Sequence, residues 1–324
     1  MEPVGATPAD EESRDATRSR PFRAGTRARV SLPSGTRRSG CFRVRFHPRR
    51  SGYAGPARRE QHPTVIRTVV ATRYVTPLRE GGSLPAIVEG DDLGTYVLKF
   101  RGAGQGQRAL IAELLAGEIA RALGLPVPEI VRMEVDPLLA RSEPDGEVQD
   151  LVEASAGLNL ALDYLPGSFA YDPLVGTDVD PVLASRLVWF DAYVSNVDRT
   201  PRNTNLLIWH KQLYLIDHGA ALYFHHSWSG YQERAHGAFP QIKGHVLLPL
   251  ATDIAAADAV LVPILTPELI AGIVALIPDS WLGDEPLFPD RAAHRAAYAT
   301  YLTERLAAPR AFVGEAIRAR AQLV

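Results

Sequence analysis

Two carboxylates and an amide supply the clearest chemistry in this chain. Asp198 and Asn203 stand five residues apart in the polar stretch NVDRTPRN, and Asp217 ends the apolar run LYLI in LIDHG. A carboxylate can orient a hydroxyl and take its proton. An amide oxygen and a second carboxylate can hold magnesium against nucleotide phosphates. Magnesium keeps several waters in its octahedral shell, so two protein ligands suffice. The chemistry these residues could do together is phosphoryl transfer.

Further residues fit the same task. Lysine is rare here: only Lys99, Lys211 and Lys243 accompany 32 arginines. Lys99 lies in TYVLKF, an alternating strand pattern, and Glu113 lies in the helical run RALIAELLAGEIARAL that follows. Gly81, Gly82 and Ser83 form a turn between two earlier strands, where small residues permit close approach to a phosphate. Each feature has an ordinary reading, as a surface lysine, a solvated helix glutamate or a hairpin turn. D-x-x-x-x-N alone is also common by chance. Their order is what is specific: glycine turn, strand lysine, helix glutamate, connecting strand, D-x-x-x-x-N, strand-terminal aspartate.

Those residues need elements to hold them. VIRTVVATRYV, rich in β-branched residues from Val65, reads as a first strand, PAIV as a second and TYVLKF as a third. In the following helix Leu110, Leu114, Ile119 and Leu123 recur at helical spacing, and Gly124 stops it. EIVRMEV and LNLALDYLPG read as further strands, giving a small, mostly antiparallel sheet with one long helix. Beyond Gly167 the pattern turns helical, with Leu183, Leu187, Phe190 and Val194 on one face of PVLASRLVWFDAYVS. LLIW and LYLI form a hairpin across His210-Lys211-Gln212, and Thr266-Pro267-Glu268 reads as an N-cap with proline at the first helical position.

The 324 residues are 46% hydrophobic and 22% charged, a composition that can build a core and excludes global disorder. No apolar run reaches the roughly 18 residues of a membrane span; Asp253 and Asp258 interrupt the most apolar region, Val246 to Leu265. The single cysteine, Cys41, excludes an intramolecular disulfide framework, and a reducing, cytoplasmic location follows as the default. Residues 1–64 stand apart: 14 arginines against six acidic residues, net +8, with no sustained periodicity. They read as a disordered basic extension, expected to be dispensable for the rest. His225, His226, His236 and His245 lack the spacing of a zinc site.

The stretches YVLKF, AELLAGEIARALGLPVPEI, LDYLPGS, NVDRTPRN and LIDHG together resemble the HipA-like kinases, in their compact actinobacterial form, over about residues 66 to 320. NVDRTPRN and LIDHG also resemble the catalytic and metal-binding stretches of phosphoinositide lipid kinases. The resemblance implies an α+β, two-lobed protein-kinase-like fold. A small antiparallel-sheet N-lobe with one long helix (65–166) would precede a mostly helical C-lobe (167–324). It implies ATP and Mg2+ as cofactors and transfer of the γ-phosphoryl group to a hydroxyl acceptor, with protein serine or threonine, a lipid head group and a small molecule as the candidates. Residue by residue, Lys99 would bind phosphates and Glu113 orient it; Asp198 would be the catalytic base and Asn203 and Asp217 the metal ligands. Backbone groups of Asp163, Tyr164 and Leu165 would meet adenine, and Gly81, Gly82 and Ser83 the phosphates.

The match has departures. Asn196 stands where protein kinases have the histidine of H-R-D, and His218 where they have the phenylalanine of D-F-G. Thr200 stands where lipid kinases and founding HipA members commonly carry histidine. An inactive pseudokinase, binding nucleotide as an interaction module, is therefore the alternative. A nucleic-acid binder acting through the basic 1–64 arm is a third reading, disfavoured by the net −10 of the remainder.

Overall fold

Alternation sets the first strands. The computed structural model describes residues 66–78, 84–104, 106–175 and 179–323. Strand β1 is Thr68–Pro77, β2 Ala86–Gly90 and β3 Thr95–Lys99. In β3 Tyr96 and Leu98 are buried while Thr95, Val97 and Lys99 lie half-buried on the other face, the period-two pattern of a pleated strand. With β4 (Ile130–Val135) and β5 (Gly157–Asp163) these strands close a barrel in the order β1-β2-β3-β5-β4.

The closed barrel corrects the antiparallel sheet expected from the sequence. Neighbours pair antiparallel except at the closure, where β1 runs parallel to β4 through Thr68↔Arg132, Val69↔Met133 and Val70↔Glu134. Strand β1 pairs with β4 through Thr68–Val70 and with β2 from Ala71 to Pro77, its register with β2 shifting between Ala71 and Arg73 and again between Tyr74 and Thr76. Irregularities of this kind bend and twist a strand. Val69, Val88, Leu98, Met133 and Ala161 fill one core inside this barrel.

Helix α1 (Gly106–Ala122) packs against β4 and β5. Every residue from Leu110 to Ala120 is buried, whereas the sequence pattern implied one apolar face. Leu114, Leu115 and Ile119 join Ile130, Leu160 and Leu162 of the barrel wall in the main core. Gly117 permits the close approach, because a Cβ there would collide with the Ile130 side chain. Between β4 and β5 run a 3-10 turn, Pro137–Ser142, and a short helix α2 (Gly146–Ala154), capped by Asp136 and Asp145; neither was read from the sequence.

A three-stranded sheet follows: β6 (Phe169–Ala170), β7 (Leu206–Trp209) and β8 (Gln212–Leu215). The β7–β8 turn is tighter than expected, with only His210 and Lys211 between the strands, both at positive φ; such mirror-image turns match the twist of a hairpin. Helix α3 (Pro181–Tyr193) precedes this hairpin, with Asp180 accepting from the Val182 N–H. The remaining helices are α4 (Tyr231–Ala235), α5 (Ile254–Leu261), α6 (Pro267–Val274), α7 (Arg291–Arg305) and α8 (Ala311–Ala321). Thr266 caps α6 by accepting from the Leu269 N–H, as the Thr-Pro-Glu signal implied.

Among the described residues no single helix is long and apolar enough to cross a membrane; only the pair Ile254–Ile264 and Pro267–Val274 passes jointly, bent by 74°. The two aspartates of that region have structural roles. Asp253 caps α5, and Asp258 binds the Arg310 guanidinium and the Trp189 indole N–H.

Candidate active site

Lys99 is the last residue of β3, and the strand's alternation places it on the face opposite Tyr96 and Leu98. Its Nζ lies 2.9 Å from Glu113 Oε2 and 2.5 Å from Asp217 Oδ1. Glu113 is wholly buried on α1, and its Oε2 also accepts from the His218 backbone N–H at 2.8 Å, with the His218 ring 3.3 Å from Oε1. One carboxylate thus ties the strand lysine to the residue beside Asp217. Asp217 sits at φ 55, a left-handed conformation that aspartate tolerates better than most residues.

Burial alone would raise the Glu113 pKa, but the Lys99 ammonium and the His218 hydrogen bonding outweigh it and hold it at about 2. Burial would likewise lower the pKa of Lys99; Glu113 and Asp217 reverse that, and it is raised. A carboxyl depressed in the folded state contributes stability that is complete above its unfolded value, near 4.5, and is lost as pH falls toward 2. Glu113→Gln is therefore expected to be less stable at neutral pH and to show a flatter acid limb between those values. Thermal unfolding of both proteins across that range measures it.

The second group lies on the loop between α3 and β7. Asn203 Nδ2 donates to Asp198 Oδ2 at 2.8 Å, and Asn205 Nδ2 reaches the same oxygen at 3.3 Å. Thr200 closes the loop, its N–H donating to the Asn203 carbonyl at 2.9 Å and its Oγ1 accepting from the Asn203 N–H. Arg199, fully buried, donates through Nη1 to the carbonyls of Asn205 and Ile216. That guanidinium joins the Asp198 loop to the peptide entering Asp217.

The structure therefore brings Lys99, Glu113 and Asp217 together, and separately Asp198 with Asn203, on loops linked by Arg199. Gly81, Gly82 and Ser83 lie outside the described residues. At the end of β5, the N–H groups of Asp163 and Tyr164 are already bound, to the carbonyls of Glu129 (2.8 Å) and Thr95 (3.0 Å). Among the described residues no acceptor engages the Leu165 N–H. The later histidines diverge, His225 to Tyr298, His236 to Glu304 and His245 to Asp191. Among the described residues no three His, Cys, Asp or Glu side chains gather as a metal cluster.

Sequence reasoning missed Asn205, His218's link to Glu113, and a buried aspartate, Asp191 on α3, that binds Arg199 and His245. The one signal for Asp191 was a carboxylate inside the apolar run LVWFDAYV.

The model of the HipA-like kinases matches residues 72–308, a span that holds every one of these side chains. The chain belongs to the HipA-like kinase family. This HipA-like kinase is accordingly a phosphotransferase of kinase type. Among solved structures it is similar to the Helicobacter pylori proinflammatory kinase CtkA, with a TM-score of 0.50 and 13% identity over 80% of this chain and 100% of that one. That likeness confirms an α+β protein-kinase-like fold. Golgi casein kinase matches with a TM-score of 0.40 and 11% identity in its Mn/ADP-bound structure, over 78% of this chain and 73% of that one. No curated protein matches the HipA-like chain.

Proposed function

We propose that this kinase transfers the γ-phosphoryl group of ATP, with Mg2+, to a hydroxyl acceptor, protein serine or threonine being the first class to test. Nucleotide would lie between an N-terminal lobe, 65–166, and a C-terminal lobe, 167–324. The observation that supports this most strongly is the Lys99 ammonium held between Glu113 and Asp217 at 2.9 and 2.5 Å. A lysine so fixed offers a point charge to nucleotide phosphates, and Glu113 keeps it aimed.

The residues fit a hard cation. Among the described residues no hydrogen bond engages Asn203 Oδ1 or Asp217 Oδ2, so an amide and a carboxylate oxygen remain for it, with phosphate and water completing the shell. Magnesium held there would neutralise charge on the phosphates. Asp198 acts as base: Asn203 and Asn205 hold its Oδ2, and Oδ1 is left to accept the hydroxyl proton. The Leu165 N–H is the backbone donor for adenine.

Thermal shift with ATP, with and without magnesium, tests the assignment. Ligand at a hundredfold excess over its dissociation constant stabilises the bound state by about 2.7 kcal/mol. A magnesium-dependent shift is expected in the wild type and should vanish in Asp217→Asn. No shift at millimolar ATP would overturn the proposal, and a shift without turnover on any acceptor would favour the pseudokinase reading.

A further inference from the structure

A second buried network lies behind Asp198, and nothing in the proposed chemistry uses it. Asp191 is fully buried and saturated with donors. Its Oδ2 accepts from Arg199 Nε at 2.6 Å and from His245 Nε2 at 2.8 Å, and its Oδ1 accepts from Asn196 Nδ2 at 2.9 Å. Burial would raise its pKa, but Arg199 and then His245 outweigh that and hold it well below the usual carboxylate range.

Each donor leads to the site. Asn196 turns its Oδ1 to the Asp198 N–H at 3.1 Å, which fixes the peptide from which the Asp198 side chain projects. Arg199 binds the carbonyls of Asn205 and Ile216, and so touches the peptide on which the Asp217 backbone pivots. Ser195, Asn205 and Asp217 all hold positive φ, at 55°, 47° and 55°. Non-glycine residues hold such angles at a cost. Arg199 of this network holds the Asn205 carbonyl and the Ile216 carbonyl that precedes Asp217.

His245 comes from the segment after α4, far along the chain. Its Nδ1 accepts from the Leu247 N–H at 3.0 Å, so the ring proton must sit on Nε2 and point at Asp191. The next residue locks the same contact from the other side, the Val246 N–H donating to the Arg199 carbonyl at 3.1 Å.

We propose that Asp191 and His245 are positioning residues, which act through Arg199 and Asn196 to fix the spacing of the Asp198 carboxylate and the Asp217 metal ligand. The proposal rests on the functional reading above. Both residues are buried and bonded to protein groups alone, so their loss should change turnover and metal use while sparing nucleotide affinity.

The test uses His245→Ala, His245→Gln and Asp191→Asn in the full chain, with kcat, the KM for ATP, and the magnesium concentration giving half-maximal stabilisation of the nucleotide complex. For His245→Ala, kcat should fall, or the magnesium requirement rise, by roughly 10- to 100-fold, as for other outer partners of a metal site. The KM for ATP should stay near wild type. Glutamine can still donate to Asp191, so His245→Gln should recover most of the loss. Asp191→Asn should show the same split more strongly; if it does not fold, the His245 pair decides alone. A His245→Ala protein with a lowered melting temperature but wild-type kcat and magnesium requirement would overturn the proposal. Wild-type protein without magnesium-dependent nucleotide binding would instead remove the functional reading, and the proposal with it.

Discussion

Asp198→Asn is expected to lower phosphoryl transfer by about 10²- to 10⁴-fold, the usual worth of a positioned general base. At 1.36 kcal/mol per tenfold, that is about 2.7–5.5 kcal/mol of transition-state stabilisation. The loop should survive the change. Asparagine keeps one oxygen that can accept from Asn203 and Asn205, which now donate to Asp198 Oδ2 at 2.8 and 3.3 Å. The Asp198 N–H bond to Asn196 is backbone and unaffected. Lys99, Glu113 and Asp217 lie on other elements, so nucleotide affinity should stay within the wild-type range. The decisive pair of measurements is single-turnover transfer and nucleotide binding on the same protein. Unchanged turnover would remove Asp198 as base. Equal loss of binding and turnover would make it a structural residue of the loop.

The residues of this site were legible where they stand at the ends of local elements. Lys99 closes an alternating strand, Asp217 follows the second strand of a short hairpin, and Asp198 with Asn203 fills the polar gap before that hairpin. Each position can be read from the residues around it. What was not legible depends on pairings remote in sequence. The barrel closes where the first residues of β1 pair with β4, some sixty residues on, and no local pattern announces that parallel contact. The spacing of Leu110, Leu114, Ile119 and Leu123 predicts one apolar face for α1, yet Glu113 is buried because the helix packs against β4 and β5 and also against α6. His245 belongs to a segment without interpretable signature; its partner Asp191 lies 54 residues away. The backbone donors at Asp163 and Tyr164 were also beyond reach, since their partners, Glu129 and Thr95, come from neighbouring chain segments.

The largest loss of stability is expected at Arg305, the last residue of α7. Its side chain is buried, and among the described residues no carboxylate forms an ion pair with it. Instead Nε donates to the Tyr193 carbonyl at 2.7 Å, Nη2 to Ala192 at 2.8 Å, and Nη1 to Ala235 and Gly237 at 3.0 and 3.1 Å. Ala192 and Tyr193 end α3 and Ala235 ends α4, so one guanidinium satisfies carbonyls that two helix termini would otherwise leave orphaned. A cation there also meets the negative ends of both helices, and it sits 4.8 Å over the Phe312 ring. Burial lowers its pKa from the ordinary value, yet the group remains charged at any physiological pH. Arg305→Met would fill similar volume but strip four carbonyls of their donor, three of them in buried bonds. Removing the buried charge offsets part of that cost, and about 3–5 kcal/mol of net destabilisation remains. Urea unfolding should show it as a lower midpoint at unchanged slope. Arg305→Lys should fall between, because one ammonium cannot span carbonyls at the ends of two helices. The effect should also reach the site, since α3 ends at Tyr193, two residues before Ser195 and the start of the Asp198 loop. Where the Met variant is still folded, nucleotide affinity should hold while turnover falls. A variant within about 1 kcal/mol of wild type, a loss no larger than an average substitution, would show that these helix ends do not depend on the guanidinium.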